Sequence, residues 1–238
     1  MDLLGPFERL LDAHAPDALG SALDAAGYLD LLVPGTGPGL EEAPPVLRAL
    51  GRRAIDLPVA EAMAARATAA APSDSALADQ ALLAVLAANE IAGGGEALLD
   101  MCLAHANTRR QFGRAIGQFQ AVQHQLAQLA EQVVLVRVAA EAACRAGPLP
   151  PVPLAAMAKT VASAAVPVMT GIAHAVHGAI GITRDFPLHR ITGQLHRLRM
   201  TAGSESFWAE RLGTARLAAA GAGEPGASLG FVRAVLGG

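Results

Sequence analysis

Three carboxylates stand where an acid could take or give a proton: Glu90 just before Gly93-Gly94-Gly95, Glu96 just after it, and Glu205 directly behind Ser204. Each also has a structural role open to it. Glu90 lies at helical spacing from Leu86, so it is expected to be buried and paired. Glu205 falls in the first turn of a helix, where a carboxylate complements the macrodipole. Arg109, taken alone, reads as a solvated or salt-bridged surface arginine. His177, ahead of Gly178-Ala179-Ile180-Gly181, reads as a histidine packed in a loop. Cys102 and Cys144 show no metal-ligand spacing, so no metal site is expected, and they suit a reducing compartment. Lys159 is the sole lysine, and arginine supplies nearly all other positive charge.

The elements that must position these residues read as helices. Hydrophobic residues make up 53% of the 238, much of that alanine and leucine, while aromatics are 3%. Ala and Leu lead the helix-propensity scale and strand formers are sparse, which predicts an all-α protein. Leu4, Phe7, Leu10 and Leu11 repeat at helical spacing, as do Leu19, Leu23 and Ala26. Residues 33–39 are a Pro- and Gly-rich turn, with helices following from Pro45 and from Pro58. Ala71-Pro72-Ser73-Asp74-Ser75 is a breaker and N-cap cluster, the expected domain boundary. A long helix then runs to about Thr108 through the three glycines, which predict tight helix packing or close approach of a ligand or partner. Further helices are expected over 120–145, over 153–176 with a kink at Pro167, near 187–200 and over 204–220. The organisation is thus a small helical unit over 1–72, a bundle over 73–220 and a loosely held Gly- and Ala-rich tail over 221–238.

A net charge of −3 gives no field that would favour nucleic acid or an anionic membrane. No apolar run reads as long enough to span a bilayer, and the start lacks a basic signal-peptide head. A cytoplasmic protein is expected, with neither membrane nor nucleic acid among its partners.

Three stretches together resemble the acyl-CoA dehydrogenase family. The run Arg109-Arg110-Gln111-Phe112-Gly113-Arg114-Ala115-Ile116-Gly117-Gln118-Phe119-Gln120 is similar to the family's R-x-Q-F-G-x-x-(I/L)-x-x-F-Q signature. His177 to Leu188 resembles its H-G-G-x-G loop, and Ala26 to Pro34 its A-G entry motif. The resemblance implies N-terminal helices and a C-terminal bundle. The family's β-domain would fall between Pro58–Pro72 and the long helix, where no strand pattern exists, so it is expected to be missing.

Carried over position by position, the resemblance gives Arg109 the FAD pyrophosphate of a neighbouring subunit, which a guanidinium fork suits. It places Phe112 near the flavin, Gly113 in a tight turn, Gln120 on the cofactor, and Gly178 and Gly181 in the nucleotide loop. Two departures weaken that loop: Ala175 where the family has glutamine, and Ala179 where it has a second glycine. The catalytic glutamate position falls on Ala202, and the alternative one on the first bundle helix falls near Leu83. Neither is an acid, which leaves Glu90, Glu96 and Glu205 as weak candidates. The implied function is a subunit that lends Arg109, Phe112 and Gln120 to the FAD of a full-length homologue, the partner supplying the base and most of the acyl-CoA thioester pocket. Heteromeric relatives acting on steroid-derived thioesters are an analogy for such lipid chemistry. The alternative is a structural or assembly subunit that binds neither flavin nor substrate. A self-sufficient dehydrogenase is a third reading.

Overall fold

The computed structural model describes residues 2–73, 75–219 and 226–236. Ten α-helices run through them: α1 Leu4–Ala13, α2 Pro16–Ala25, α3 Pro44–Arg53, α4 Val59–Ala70, α5 Ala76–Thr108, α6 Gln120–Cys144, α7 Val152–His177, α8 Leu188–Met200, α9 Glu205–Ala218 and α10 Ala227–Leu236. Their ends follow local chemistry. Ser75 Oγ accepts from the Ala78 N–H at 3.2 Å and Ser204 Oγ from the Phe207 N–H at 3.2 Å, each filling an orphan donor of a first turn. Prolines stand in the first turns of α2, α3 and α7, where their missing N–H costs nothing. Pro167 lies inside α7, which continues through it. Residues 221–225 lie outside the described residues. Part of the expected loose tail is nonetheless helical, as α10.

Among the described residues the fold is all-α apart from one hairpin, which the sequence pattern does not announce. Strands β1 (Arg110–Gln111) and β2 (Arg114–Ala115) pair antiparallel across Phe112 and Gly113. Both turn residues have positive φ, 50° and 79°, the geometry of a two-residue turn whose twist matches its strands. Only Gly113 announces that turn in the sequence. Between α4 and α5 only residues 71–75 intervene, so no β-domain separates the two groups of helices.

Helix α5 is central, packed against α3, α6, α7 and α8. The triple glycine explains how. A Cβ on Gly93 would stand 2.0 Å from the Arg48 carbonyl oxygen, and one on Gly51 would stand 1.9 Å from that of Glu90. Helices α3 and α5 therefore touch backbone to backbone, the packing alternative rather than a ligand. Gly94 and Gly95 receive Leu195, Met169 and Val133 side chains instead. Ion pairs flank this contact: Arg48 with Glu141 at 2.6 Å and Glu96 at 3.6 Å, Arg52 with Asp100 at 2.6 Å and Glu96 at 3.4 Å. One apolar core runs from Phe7 to Trp208.

One sequence expectation is corrected here. Residues 76–108 and 152–182 are long and apolar enough to cross a membrane by length and composition. Their most apolar windows are 83% and 56% buried inside the structure. The bundle's own core therefore accounts for much of their apolarity. Lys159 lies in this interior, fully buried, and donates to Ser163 Oγ (2.8 Å) and to the carbonyls of Leu198 (3.0 Å) and Arg199 (2.8 Å). It thereby satisfies the orphan acceptors at the end of α8.

Candidate functional site

The last turn of α5, the hairpin and the end of α7 enclose a cleft of about 400 Å³. His105, Arg109 and Gln111 line one side, and Ala175, His177 and Gly178 the other. Arg109 is the C-cap of α5, in extended conformation, so its exposed side chain leaves the helix axis. Its guanidinium makes no hydrogen bond or ion pair among the described residues. Its carbonyl accepts from the Ile116 N–H at 2.8 Å, closing the hairpin base.

His177 is buried, and its Nδ1 lies 2.8 Å from the Ala173 carbonyl, which makes Nδ1 the donor and Nε2 an acceptor in the neutral ring. Nε2 is buried without a partner. The ring stacks on His105 at 4.6 Å between centroids and packs on Phe186 at 5.0 Å. Burial, His177 and Arg109 together hold His105 below the usual imidazole range. Gly178 ends α7 at φ 60°, with open space where a Cβ would stand. A free guanidinium and a side-chain-free turn thus line one space. That pair fits a phosphate-bearing group: the fork binds two oxygens, and the glycine allows close backbone approach. His177 Nε2, an acceptor in the neutral ring, takes no part in holding an anion.

The other sequence-derived cofactor residues lie apart from this cleft. Phe112 is 91% exposed at the hairpin tip, its ring edge-on to Phe119 at 6.1 Å. Gly113 occupies the turn beside it, and Gln120 is exposed at the first position of α6. Arg110 bends back to the Gly113 carbonyl at 3.4 Å, away from the space Arg109 faces. Gly181 is buried, with Cβ room closed by His177 and Leu188, so it spaces the loop rather than lining it. His105 was missed in the sequence. Its spacing of four from Arg109, one helical turn, is the signal that could have found it.

The candidate bases separate clearly. Glu96 is held by Arg48 and Arg52, and Glu205 by Arg199 at 3.3 Å, both structural roles. Glu90 corrects an expectation: it is buried, 7% exposed, but it has no hydrogen bond or ion pair among the described residues. The cation that acts on it, Arg197, is bonded to Asp56 instead. Burial and then Glu61, opposed by Arg197, push the Glu90 carboxyl up to about 8. At Ala202 the loop is held without an acid. Its carbonyl accepts from Gln80 Nε2 at 3.0 Å and Trp208 Nε1 at 2.9 Å, and its φ is 56°. Leu83 is partly buried against the core.

Comparisons with known proteins bear on the family and the fold. Residues 83–216 match the family model for the acyl-CoA dehydrogenase C-terminal domain. The chain is 34% identical over 119 residues to 3-sulfinopropanoyl-CoA desulfinase of Paraburkholderia xenovorans, covering 50% of this chain and 31% of that protein. It is 36% identical over 124 residues to acyl-CoA dehydrogenase IpdE2 of Mycobacterium tuberculosis, covering 52% and 37%. The matches thus span little more than a third of these relatives. Among solved structures, a glutaryl-coenzyme A dehydrogenase–glutaryl-CoA complex superposes with a TM-score of 0.57 at 30% identity, over 59% of this chain and 36% of that one. A steroid ACAD, Tcur3481–Tcur3483, superposes with a TM-score of 0.53 at 28% identity, over 58% and 39%.

Proposed function

We propose that this chain, which belongs to the acyl-CoA dehydrogenase family, serves as a subunit that completes the FAD site of a full-length homologue. The observation that carries the reading is the Arg109 cleft. An arginine with no partner and the open turn at Gly178 form a partial anion site on the bundle surface. Arg109 would hold the FAD pyrophosphate, and Gly178 would let the backbone approach it. When bound, FAD supplies the acceptor for hydride from the β-carbon of an acyl-CoA thioester.

This chain's own residues hold and orient; they do not move the α-proton. Ala202 and Leu83, the two positions where the family pattern implies an acid, carry none, so the base belongs to the partner. Phe112, almost fully exposed beside Gly113 and Gln120, suits a contact made across a subunit boundary. The steroid ACAD, whose name joins two components, is the kind of relative such an arrangement would resemble. The absence of an acid at Ala202 also favours the second reading, an assembly subunit that binds no flavin.

Flavin retention separates the two. Arg109→Ala should lower FAD affinity of the assembled complex by about tenfold to a hundredfold, the worth of a charge-assisted hydrogen bond of about 1.5–3 kcal/mol. Arg110→Ala, whose side chain turns back on Gly113, should retain wild-type flavin. Both complexes must co-elute with the partner as wild type does. Equal flavin content in wild type and Arg109→Ala would leave the assembly reading standing.

A further inference from the structure

A second polar cavity, of about 210 Å³, opens between the α3–α4 connection, α4, α5 and α8. On α5, Glu90 and Arg109 are 19 residues apart, about 28 Å along the axis, so this cavity is separate from the cleft above. Two side chains more than nine-tenths buried line it without partners for their oxygens: Glu90, 7% exposed, and Gln194, 4% exposed. Gln194 Nε2 is spent on the Ile55 carbonyl at 3.2 Å, which leaves its Oε1 buried and unbonded. Glu61 adds a carboxylate from α4. The cation at the rim, Arg197, is committed to Asp56, and the Thr201 hydroxyl donates to the Arg197 carbonyl at 3.2 Å.

The partnerless side chains lining this cavity, Glu90, Glu61 and Gln194 at Oε1, all present oxygens. A buried acceptor left unbonded is costly, and that cost falls on Gln194 Oε1, while the buried Glu90 and the exposed Glu61 line the same cavity with their carboxylates. An alkylammonium headgroup has three N–H donors for three such oxygens and a positive charge for the carboxylates. Ile55, Leu57, Pro58 and Leu198 supply apolar wall for a short alkyl chain. We infer that this cavity is a binding site for a small primary amine, held as its ammonium form by Glu90, Glu61 and Gln194 Oε1.

Binding must then be linked to the ionisation of Glu90. In the free protein its carboxyl titrates near 8, pushed up by burial and Glu61 against Arg197, with Asp56 already neutralised at the rim. An ammonium favours the carboxylate, so at neutral pH each amine bound should expel a proton. Affinity should rise as pH climbs towards 8 and level off above it while the amine stays protonated.

The test is titration calorimetry of the full chain with n-propylammonium chloride, at pH 6.5 and 8.5 and in two buffers of different ionisation enthalpy. Saturable binding, tighter at pH 8.5 and accompanied by proton release at pH 6.5, is expected. Glu90→Gln should weaken it by roughly tenfold or more and abolish the proton release, given the worth of a charged hydrogen bond. Glu61→Gln provides an independent variant with the same direction. Tetramethylammonium, which has charge but no N–H donor, should not compete. Absence of saturable binding, as for a cavity filled only by water, would overturn the inference. So would unchanged binding in both variants, or equal competition by tetramethylammonium. None of these outcomes bears on flavin, so this site and the FAD reading fail separately.

Discussion

At the scale of single residues, Glu90 sets a measurable pH dependence. Its carboxyl ionises near 4.5 in the unfolded chain and near 8 in the fold, so between these values the unfolded state has lost a proton that the native state keeps. Stability from this group is whole below pH 4.5 and falls as pH rises to about 8, with a slope near 1.4 kcal/mol per unit for one proton. Glu90→Gln should remove that slope and raise stability at pH 8, read by urea denaturation at several pH values. A variant with the wild-type slope would show that Glu90 ionises as an ordinary carboxylate. The sequence located this residue by its spacing from Leu86, and burial followed. Its lack of a partner did not, because the decision rests with Arg197 and Asp56, which meet it only in three dimensions. Arg109 was legible for the opposite reason, its signature being local. The cleft that gives it meaning needs the far end of α7, two helices further along the chain.

At the scale of elements, glycines in helices divide by what a methyl group would meet. Gly93→Ala should destabilise by about 3 kcal/mol, since its Cβ would collide with the Arg48 backbone and force α3 away from α5. Gly171→Ala, also inside a helix but with nothing within 4 Å, should stabilise by about 1 kcal/mol through propensity alone. Opposite shifts in thermal midpoint are the expected result, and two shifts of one sign would contradict the backbone contact. Helix order, Ser75 and Ser204 as caps, and the lack of strands before α5 were all readable from pattern and capping chemistry. The hairpin was not. Its strands are two residues each, below any period-2 signal, and Phe112 takes positive φ against its intrinsic preference.

At the scale of the whole molecule, the N-terminal helices and the bundle share one apolar core, stitched by Arg48 and Arg52 to α5 and α6. Unfolding should therefore be a single transition. Fluorescence of Trp208, the one tryptophan and fully buried against the Ala202 loop, should lose its native signal at the same urea concentration as far-UV circular dichroism. An earlier dichroism transition at constant fluorescence would mean that α1–α4 unfold alone. From composition this continuity was not visible: the breaker at Ala71–Ser75 looks like a boundary, yet Gly51 and Gly93 place helices from either side of it in backbone contact.

The strained loop at residue 202 has a consequence for redesign. Left-handed backbone costs any residue with a Cβ about 1–2 kcal/mol, and Ala202 already bears that cost while two side chains grip its carbonyl. A glutamate grafted there would meet no new backbone penalty and would inherit a ready-made anchor. The loop therefore accepts a longer side chain at 202 with its backbone and its anchor unchanged.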